Sequence, residues 1–418
     1  MDDLLRESTP SVRAVLERAL EGRVIEVEDA LVLDATRGAD LRALCAVADA
    51  LRAAHVGDVA TYVVNRNINF TNVCVKACRF CAFSRTQRSE EGYFLDLEEI
   101  VRRTVEAHEL GATEVCIQAG LSPGLDPGYY AAICRAVKKA TPEMHIHAFS
   151  PEEIKYGSGL ANVPVAVFLQ ELKDAGLGSL PGTSAEILDQ ELRARIAPGR
   201  ITTDEWIEII QSAHRIGLPT TSTMMYGHVE TSEHRVRHMA LLRLLQKETG
   251  GFTEFVPLSF VPEEAPMFKR SLVHQVRGGP DADDVMRVHA LARVMLGATF
   301  RNLQVSWVKE GVERSTELLR CGANDLGGTL INESISTSAG SKHGQRLSPA
   351  TLRKAIRAAG RIPGERDTRY RTLRTFAADG ADDPHDALDG VPNDGDALGS
   401  YVQLTRDPRF RFVRTAGP

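Results

Sequence analysis

Asn65–Arg85, NRNINFTNVCVKACRFCAFSR, sets Cys74, Cys78 and Cys81 as C-x3-C-x2-C immediately after an extended segment. Three thiolates in eight residues repel one another and gain little as packing groups, so a shared metal centre explains the spacing. No fourth cysteine follows at matching spacing. A closed structural zinc site takes four ligands, whereas three ligands leave a coordination position open for chemistry. A 4Fe–4S cluster on three cysteines has one iron free to bind a small molecule. A zinc ion completed by a distant His or Cys is the alternative. A disulfide framework fits less well, because the seven cysteines are an odd number and Cys45, Cys116, Cys134 and Cys321 stand singly in apolar surroundings.

Outward from this stretch, a strand-then-helix rhythm begins at Val59. Strand patterns fall at Thr61–Asn69, Glu114–Ala119, His145–Phe149, Leu177–Leu180, Thr220–Tyr226, Thr253–Phe260, Leu303–Val308 and Asp325–Leu330, with helical patterns between them. Eight such units call for parallel pairing with right-handed crossovers, and eight strands close a barrel. The fold expected is therefore an α/β, (β/α)8 TIM-type barrel over residues 59–330. A doubly wound open sheet is the runner-up. Residues 1–58 carry apolar positions at helical spacing and read as helices packed outside the barrel, covering one of its ends. Residues 331–378 read as a barrel-capping segment and helix. Residues 379–399 read as an acidic, Gly/Pro-rich mobile insertion, and 400–418 as a terminal strand or arm.

The 418 residues are 43% apolar and 25% charged, with a net charge of -6. That balance argues against nucleic-acid binding through a broad basic face. The N-terminus lacks the basic and apolar regions of a signal peptide, and no run of about 18 apolar residues is present, so no membrane span is expected. The thiol cluster points to a reducing cytoplasm.

Barrel chemistry sits at the C-terminal ends of the strands, where the cysteine loop falls. Gly120 follows the second strand, where a small residue permits close approach. His147 shares a strand face with His145 and reads as a polar lumen group. Ser150, before Pro151 and Glu153, carries an N-cap signature. Glu186 is either a capping acid or a ligand to a cationic amine. Glu230, in a Gly-containing turn, is a substrate-binding candidate. Lys309 and Asp325 would be costly to bury without partners, which marks them as functional candidates.

C-x3-C-x-aromatic-C, with Phe80 as the aromatic, at the end of the first strand of an α/β barrel resembles the radical S-adenosylmethionine superfamily. Within it, NRNINFTNVC, CRFCAFSR, HIHAFSPEEI, SLPGTSAEIL, TMMYGHVET, FVPLSFVP, SWVKEG and NDLGGT are similar to the CofH-type subunits of deazaflavin (FO) synthase. RIPGERDTRY (Arg361–Tyr370) extends the resemblance, while 379–399 lies outside it. The family usually has glycine where Ala119 stands, so the methionine-amine site would be slightly narrowed.

The resemblance implies that Cys74, Cys78 and Cys81 hold three irons of a 4Fe–4S cluster whose fourth iron binds S-adenosyl-L-methionine. With the strand-end reading, Phe80, Gln118, Gly120, Ser150 and Glu186 are expected to bind the cofactor, and Glu230, His147, Lys309 and Asp325 to serve catalysis. The implied reaction breaks the Cα–Cβ bond of L-tyrosine and joins its 4-hydroxybenzyl group to 5-amino-6-(D-ribitylamino)uracil. The implied partners are a companion CofG-type radical subunit and an electron donor such as ferredoxin or flavodoxin. A menaquinone-pathway radical enzyme (aminofutalosine synthase or dehypoxanthine futalosine cyclase) is the alternative within the class. A structural zinc or iron–sulfur protein is the alternative outside it.

Overall fold

The computed structural model describes residues 1–381, 383–392 and 397–413. Among the described residues there are nine strands: β1 (Val59–Val63), β2 (Asn65–Ile68), β3 (Glu114–Ile117), β4 (His145–Ala148), β5 (Thr220–Tyr226), β6 (Phe252–Ser259), β7 (Asp325–Gly328), β8 (Ile362–Arg366) and β9 (Thr372–Thr375). Parallel pairing runs β2–β3–β4 and β5–β6, and β1 pairs with β7. Single bridges complete the ring. Ser179 pairs with His147 and Leu180 with Thr220, Leu303 pairs with Phe255 and Gln304 with Asp325, and Ile331 pairs with Arg66. All are parallel, so eight strand positions close into a barrel.

Two of the eight are far shorter than expected. Leu177–Leu180 and Leu303–Val308 contribute only those bridges, and the second ends early because Trp307 begins the helix Trp307–Leu318. The first strand is broken between β1 and β2, with an irregular register between Thr61 and Val63 against β7. Its two halves serve different neighbours: β1 takes β8 on its outer side, and β2 takes β3.

The surrounding helices start where side chains satisfy their first N–H groups. Asp96 accepts from Glu99 N ahead of Leu97–Glu109, and capping boxes at Ser150/Glu153 and Thr202/Glu205 open Pro151–Ala161 and Thr203–Arg215. Each buries one apolar stripe on the barrel, such as Trp206, Ile209, Ile210 and Ala213.

The first 56 residues form four helices. They do not cover a barrel end; they pack on its flank, against the helices Ser232–Thr249 and Ala282–Leu296. Buried arginines fasten them there: Arg235 pairs with Asp34, Arg243 donates to the Ile25 carbonyl (2.7 Å) and Arg287 to the Thr36 carbonyl (3.1 Å).

Beyond residue 330 the chain visits both barrel ends. Ile331–Gln345 crosses the C-terminal mouth, whereas β8 and β9 form an antiparallel hairpin at the opposite end. The 379–399 stretch, expected to be mobile, is tied down where it is described. Asp383, Asp386 and Asp389 all pair with Arg353, and Asp383 also with Arg357. Positions 382 and 393–396 lie outside the described residues, as do 414–418 of the expected C-terminal arm. The rest of that arm is the helix Tyr401–Arg406 and a short extended piece that pairs with Tyr93. Among the described residues no helix is long and apolar enough to cross a membrane.

Candidate active site

The loop after β2 is shaped by the backbone around it. Cys74 N donates to the Arg85 carbonyl (3.0 Å), Arg85 N to the Asn72 carbonyl (2.7 Å) and Val75 N to the Leu121 carbonyl (2.9 Å). The Arg85 guanidinium then bonds the Ala82 and Ser84 carbonyls from inside the turn. Gly120 presses on the loop from the next strand end: a Cβ there would lie 2.4 Å from the Val73 carbonyl oxygen. Its small size therefore serves backbone packing against the cysteine loop, not only access for a ligand.

Cys74, Cys78 and Cys81 are free thiols that open on one cavity. Burial pushes Cys74 up and Cys78 up to about 12, the Arg200 guanidinium opposing the rise at Cys78. Thiolates here need a cation to offset burial, and soft thiolate donors suit iron–sulfur clusters. Among the described residues no three His, Cys, Asp or Glu side chains meet at single-ion spacing. Three thiolate donors opening on one cavity have the chemistry that suits an iron–sulfur cluster.

The cavity has two lobes that share eight residues, Phe80, Cys81, Gln118 and Glu186 among them. The thiol lobe contains all five expected cofactor residues: Phe80, Gln118, Gly120, Ser150 and Glu186. Ser150 is already committed, its hydroxyl donating to Glu153 at 2.6 Å in the capping box. Glu153 also accepts Ser150 N and Ala119 N, and burial lifts its carboxyl to about 7. Glu186 stands at φ 42 and pairs through Oε1 with Arg200 at 2.8 Å; its buried Oε2 has no hydrogen-bond partner. Burial lowers the Arg200 pKa, but Glu186, the Cys78 thiol and Glu152 outweigh it and hold the guanidinium charged. Arg200 was not anticipated. It sits in a Pro-Gly-Arg turn after Gln190–Ile196, where nothing local distinguishes it from a surface arginine.

The second lobe is the barrel mouth, walled by Asn67, Thr223, Met225, Leu258, Lys309 and Glu333, among others. Lys309 lines it, and its Nζ makes no hydrogen bond among the described residues. Burial lowers its pKa, while Glu333 and Glu310 pull it back up.

The other three expected catalytic groups do not line this cavity. His147 points into the lumen but bonds Ser179 Oγ through Nδ1 (2.7 Å), and burial lowers its pKa. Glu230 is a structural carboxylate. Its oxygens accept Gly227 N and His228 N (both 2.8 Å) and Arg235 (3.0 Å), with Arg277 closing the set. Asp325 starts β7 at the N-terminal end of the barrel, away from the mouth. It is fixed by Arg366 through both oxygens (2.6 and 3.0 Å) and by the Thr61 hydroxyl. Asp325 meets its side-chain partners far away in the chain, whereas Glu230 meets most of its own within five residues and only Arg277 at a distance.

Residues 68–242 match the Radical SAM superfamily and residues 249–378 the CofH/MqnC C-terminal region. The chain is 48% identical over 361 residues to a 5-amino-6-(D-ribitylamino)uracil--L-tyrosine 4-hydroxyphenyl transferase of Methanothermobacter thermautotrophicus, covering 86% of this chain and 97% of that one. It is 50% identical over 329 residues to the transferase of the same name from Methanocaldococcus jannaschii, covering 78% and 91%. It is 49% identical to an FO synthase of Nocardia farcinica over 81% of this chain but only 39% of that longer protein. In fold it is similar to methylornithine synthase (TM-score 0.65, 17% identity, 84% of this chain and 97% of that one). It is also similar to the hydrogenase maturase HydG (TM-score 0.67, 17% identity, 88% and 79%). The barrel, the thiol-lined cavity and these matches agree: the chain belongs to the 5-amino-6-(D-ribitylamino)uracil--L-tyrosine 4-hydroxyphenyl transferase family of the Radical SAM superfamily.

Proposed function

We propose that this chain transfers the 4-hydroxybenzyl group of L-tyrosine to 5-amino-6-(D-ribitylamino)uracil in deazaflavin biosynthesis. The products would be the benzylated uracil, 2-iminoacetate, methionine and 5'-deoxyadenosine. The observation that carries the reading is the continuity of the cavity: three thiols open one lobe, and the polar barrel mouth forms the other. Cys74, Cys78 and Cys81 would hold a 4Fe–4S cluster, which together with S-adenosylmethionine would supply one-electron radical chemistry here.

The residues around it bind and shield. Glu186 Oε2, which makes no hydrogen bond among the described residues and has the Arg193 guanidinium 3.6 Å away, would accept from the cofactor's amine, and the charged Arg200 beside Glu186 would meet a carboxylate. Phe80 separates the lobes and offers a ring face, with the Arg200 guanidinium 5.8 Å from its centroid. Lys309, on the wall of the mouth, would hold the tyrosine carboxylate. The apolar wall of Met225, Leu258 and Val308 keeps water from the radical. The FO synthase match supports a companion radical subunit acting on the product, since this chain spans under half of that protein. A ferredoxin- or flavodoxin-type donor would supply the electron.

The test is anaerobic reconstitution with iron, sulfide, reductant, tyrosine and the aminouracil. Formation of the benzylated uracil is expected. No adduct, with turnover of an enolpyruvyl benzoate or futalosine derivative instead, would establish the menaquinone-pathway alternative.

A further inference from the structure

The run Asn65-Arg66-Asn67-Ile68-Asn69 places three asparagines two residues apart, so all three carboxamides point to the same side of the first strand. The two outer ones are tied to protein. Asn65 donates from Nδ2 to Glu114 Oε1 (2.9 Å) and accepts Leu330 N at Oδ1 (2.8 Å). Asn69 donates from Nδ2 to the Gln118 carbonyl (2.7 Å), and its Oδ1, on a residue only 7% exposed, has no partner.

Asn67 differs from both. Its Oδ1 is buried without a partner, its Nδ2 makes no hydrogen bond among the described residues, and the residue lines the barrel-mouth lobe. A buried amide oxygen left unpaired is unfavourable unless something else completes it. The Ser306 and Ser336 hydroxyls on this lobe also make no hydrogen bond among the described residues, but a hydroxyl does not present the paired donor and acceptor of an amide, and two other neutral groups are engaged. Gln118 Oε1 already accepts the Thr183 hydroxyl (2.7 Å), and Thr223 Oγ1 donates to the Gly182 carbonyl (3.0 Å).

A carboxamide presents one donor and one acceptor side by side, and its terminal torsion is soft enough to turn towards a ligand. Its complement is a cyclic imide edge, a ring C=O next to a ring N–H. The tyrosine head group offers instead an ammonium and a carboxylate, which suit charged partners such as Lys309. Given the transferase reading, on which this step rests, we infer that Asn67 grips the C2=O/N3–H edge of the pyrimidine. Nδ2 donates to the ring carbonyl and Oδ1 accepts the ring N–H. C5, the carbon that gains the benzyl group, lies across the ring from that edge, so the grip turns C5 away from the strand and into the cavity. The same contact selects uracil-type rings over pyrimidines that lack the imide N–H.

The test compares wild type, Asn67→Asp and Asn67→Ala, each reconstituted with its cluster. Asn67→Asp keeps the shape and the acceptors but loses the donor. Both variants are expected to keep wild-type iron content and an unchanged KM for tyrosine. The KM for the aminouracil should rise about tenfold or more, with matching loss of affinity in an anaerobic binding titration. Tyrosine-dependent 5'-deoxyadenosine formation should persist in both. An aminouracil KM within twofold of wild type overturns the assignment, and so does a rise confined to tyrosine. A parallel fall in iron, thermal stability and both KM values would make Asn67 a structural residue and also overturn it. If wild type itself forms no adduct, the transferase reading fails, which is a separate result.

Discussion

Glu230 shows how a single carboxylate can carry structural weight beside a catalytic mouth. It anchors two backbone N–H groups of the Gly227–Glu230 turn and faces Arg235 and Arg277. Burial raises its pKa, but His228, the turn's N–H groups and the two arginines outweigh it, so the net shift is downward. A folded-state pKa below the unfolded one contributes stability above the unfolded value, lost as pH falls through the depressed one. Glu230→Gln should therefore cost about 1–3 kcal/mol at neutral pH, less for the Arg277 contribution, since that guanidinium is 40% exposed. The penalty should shrink on acidification. Denaturant melts at pH 7 and pH 4 measure it; a stable variant with lost tyrosine turnover would return Glu230 to the substrate shell. Sequence separated these cases unevenly. Three thiols in eight residues have almost no structural use, so Cys74, Cys78 and Cys81 were readable as a centre. A strand-end carboxylate looks alike whether it meets a substrate or an arginine 47 residues on, as Glu230 meets Arg277. Asn67 went unread for the opposite reason, because an unpaired amide is invisible until its neighbours are placed.

The β8–β9 hairpin closes the end of the barrel that does no chemistry. Its Arg366 enters the lumen and grips Asp325, while the Tyr370 hydroxyl donates to Glu254, whose carboxyl burial lifts to about 7 against the pull of Arg366. Arg366→Ala would leave Asp325 buried and uncompensated, a change worth about 3–5 kcal/mol. The expected result is a marked drop in Tm, with unchanged KM values for both substrates in the fraction that stays folded. A changed KM at full stability would mean that this end communicates with the mouth. The hairpin escaped sequence reading because Ile362-Pro-Gly-Glu-Arg366 has none of the apolar alternation that marks a strand; its inward residues are an ion pair and a phenol. The eight-fold rhythm was legible because each remaining unit buries an apolar strand against an amphipathic helix. The strands at 177–180 and 303–308 were overdrawn, since apolar pattern reports burial and not how many ladder bonds form.

Taken whole, the chain folds its end back over its centre. Tyr401, 8% exposed, packs on Phe83 of the cysteine loop with ring centroids 5.6 Å apart, and its hydroxyl lies 3.5 Å from Asn72 Nδ2. A few residues on, Phe94 N donates to the Phe410 carbonyl and Phe412 N to the Gly92 carbonyl, adding a strand to the segment that follows the thiols. The cysteine loop is therefore held from below by the Gly120 contact and from outside by the last part of the chain. Tyr401 and Leu404 of this clasp join the barrel's apolar cluster at 8% exposure each, beside a core whose strands and helices are otherwise contributed by residues before 400. Removing residues 400–418 should leave the barrel folded, with near wild-type far-UV circular dichroism. It exposes the Phe83 side of the loop, and losing one buried aromatic contact of about 1.5–3 kcal/mol should loosen the loop by a comparable amount. The reconstituted truncation is expected to surrender iron to a chelator about tenfold faster than wild type or more, and Tyr401→Ala should do part of this alone. Equal chelation rates in all three proteins would show that the loop holds its shape without the clasp, leaving Arg85 and Gly120 as its sufficient supports.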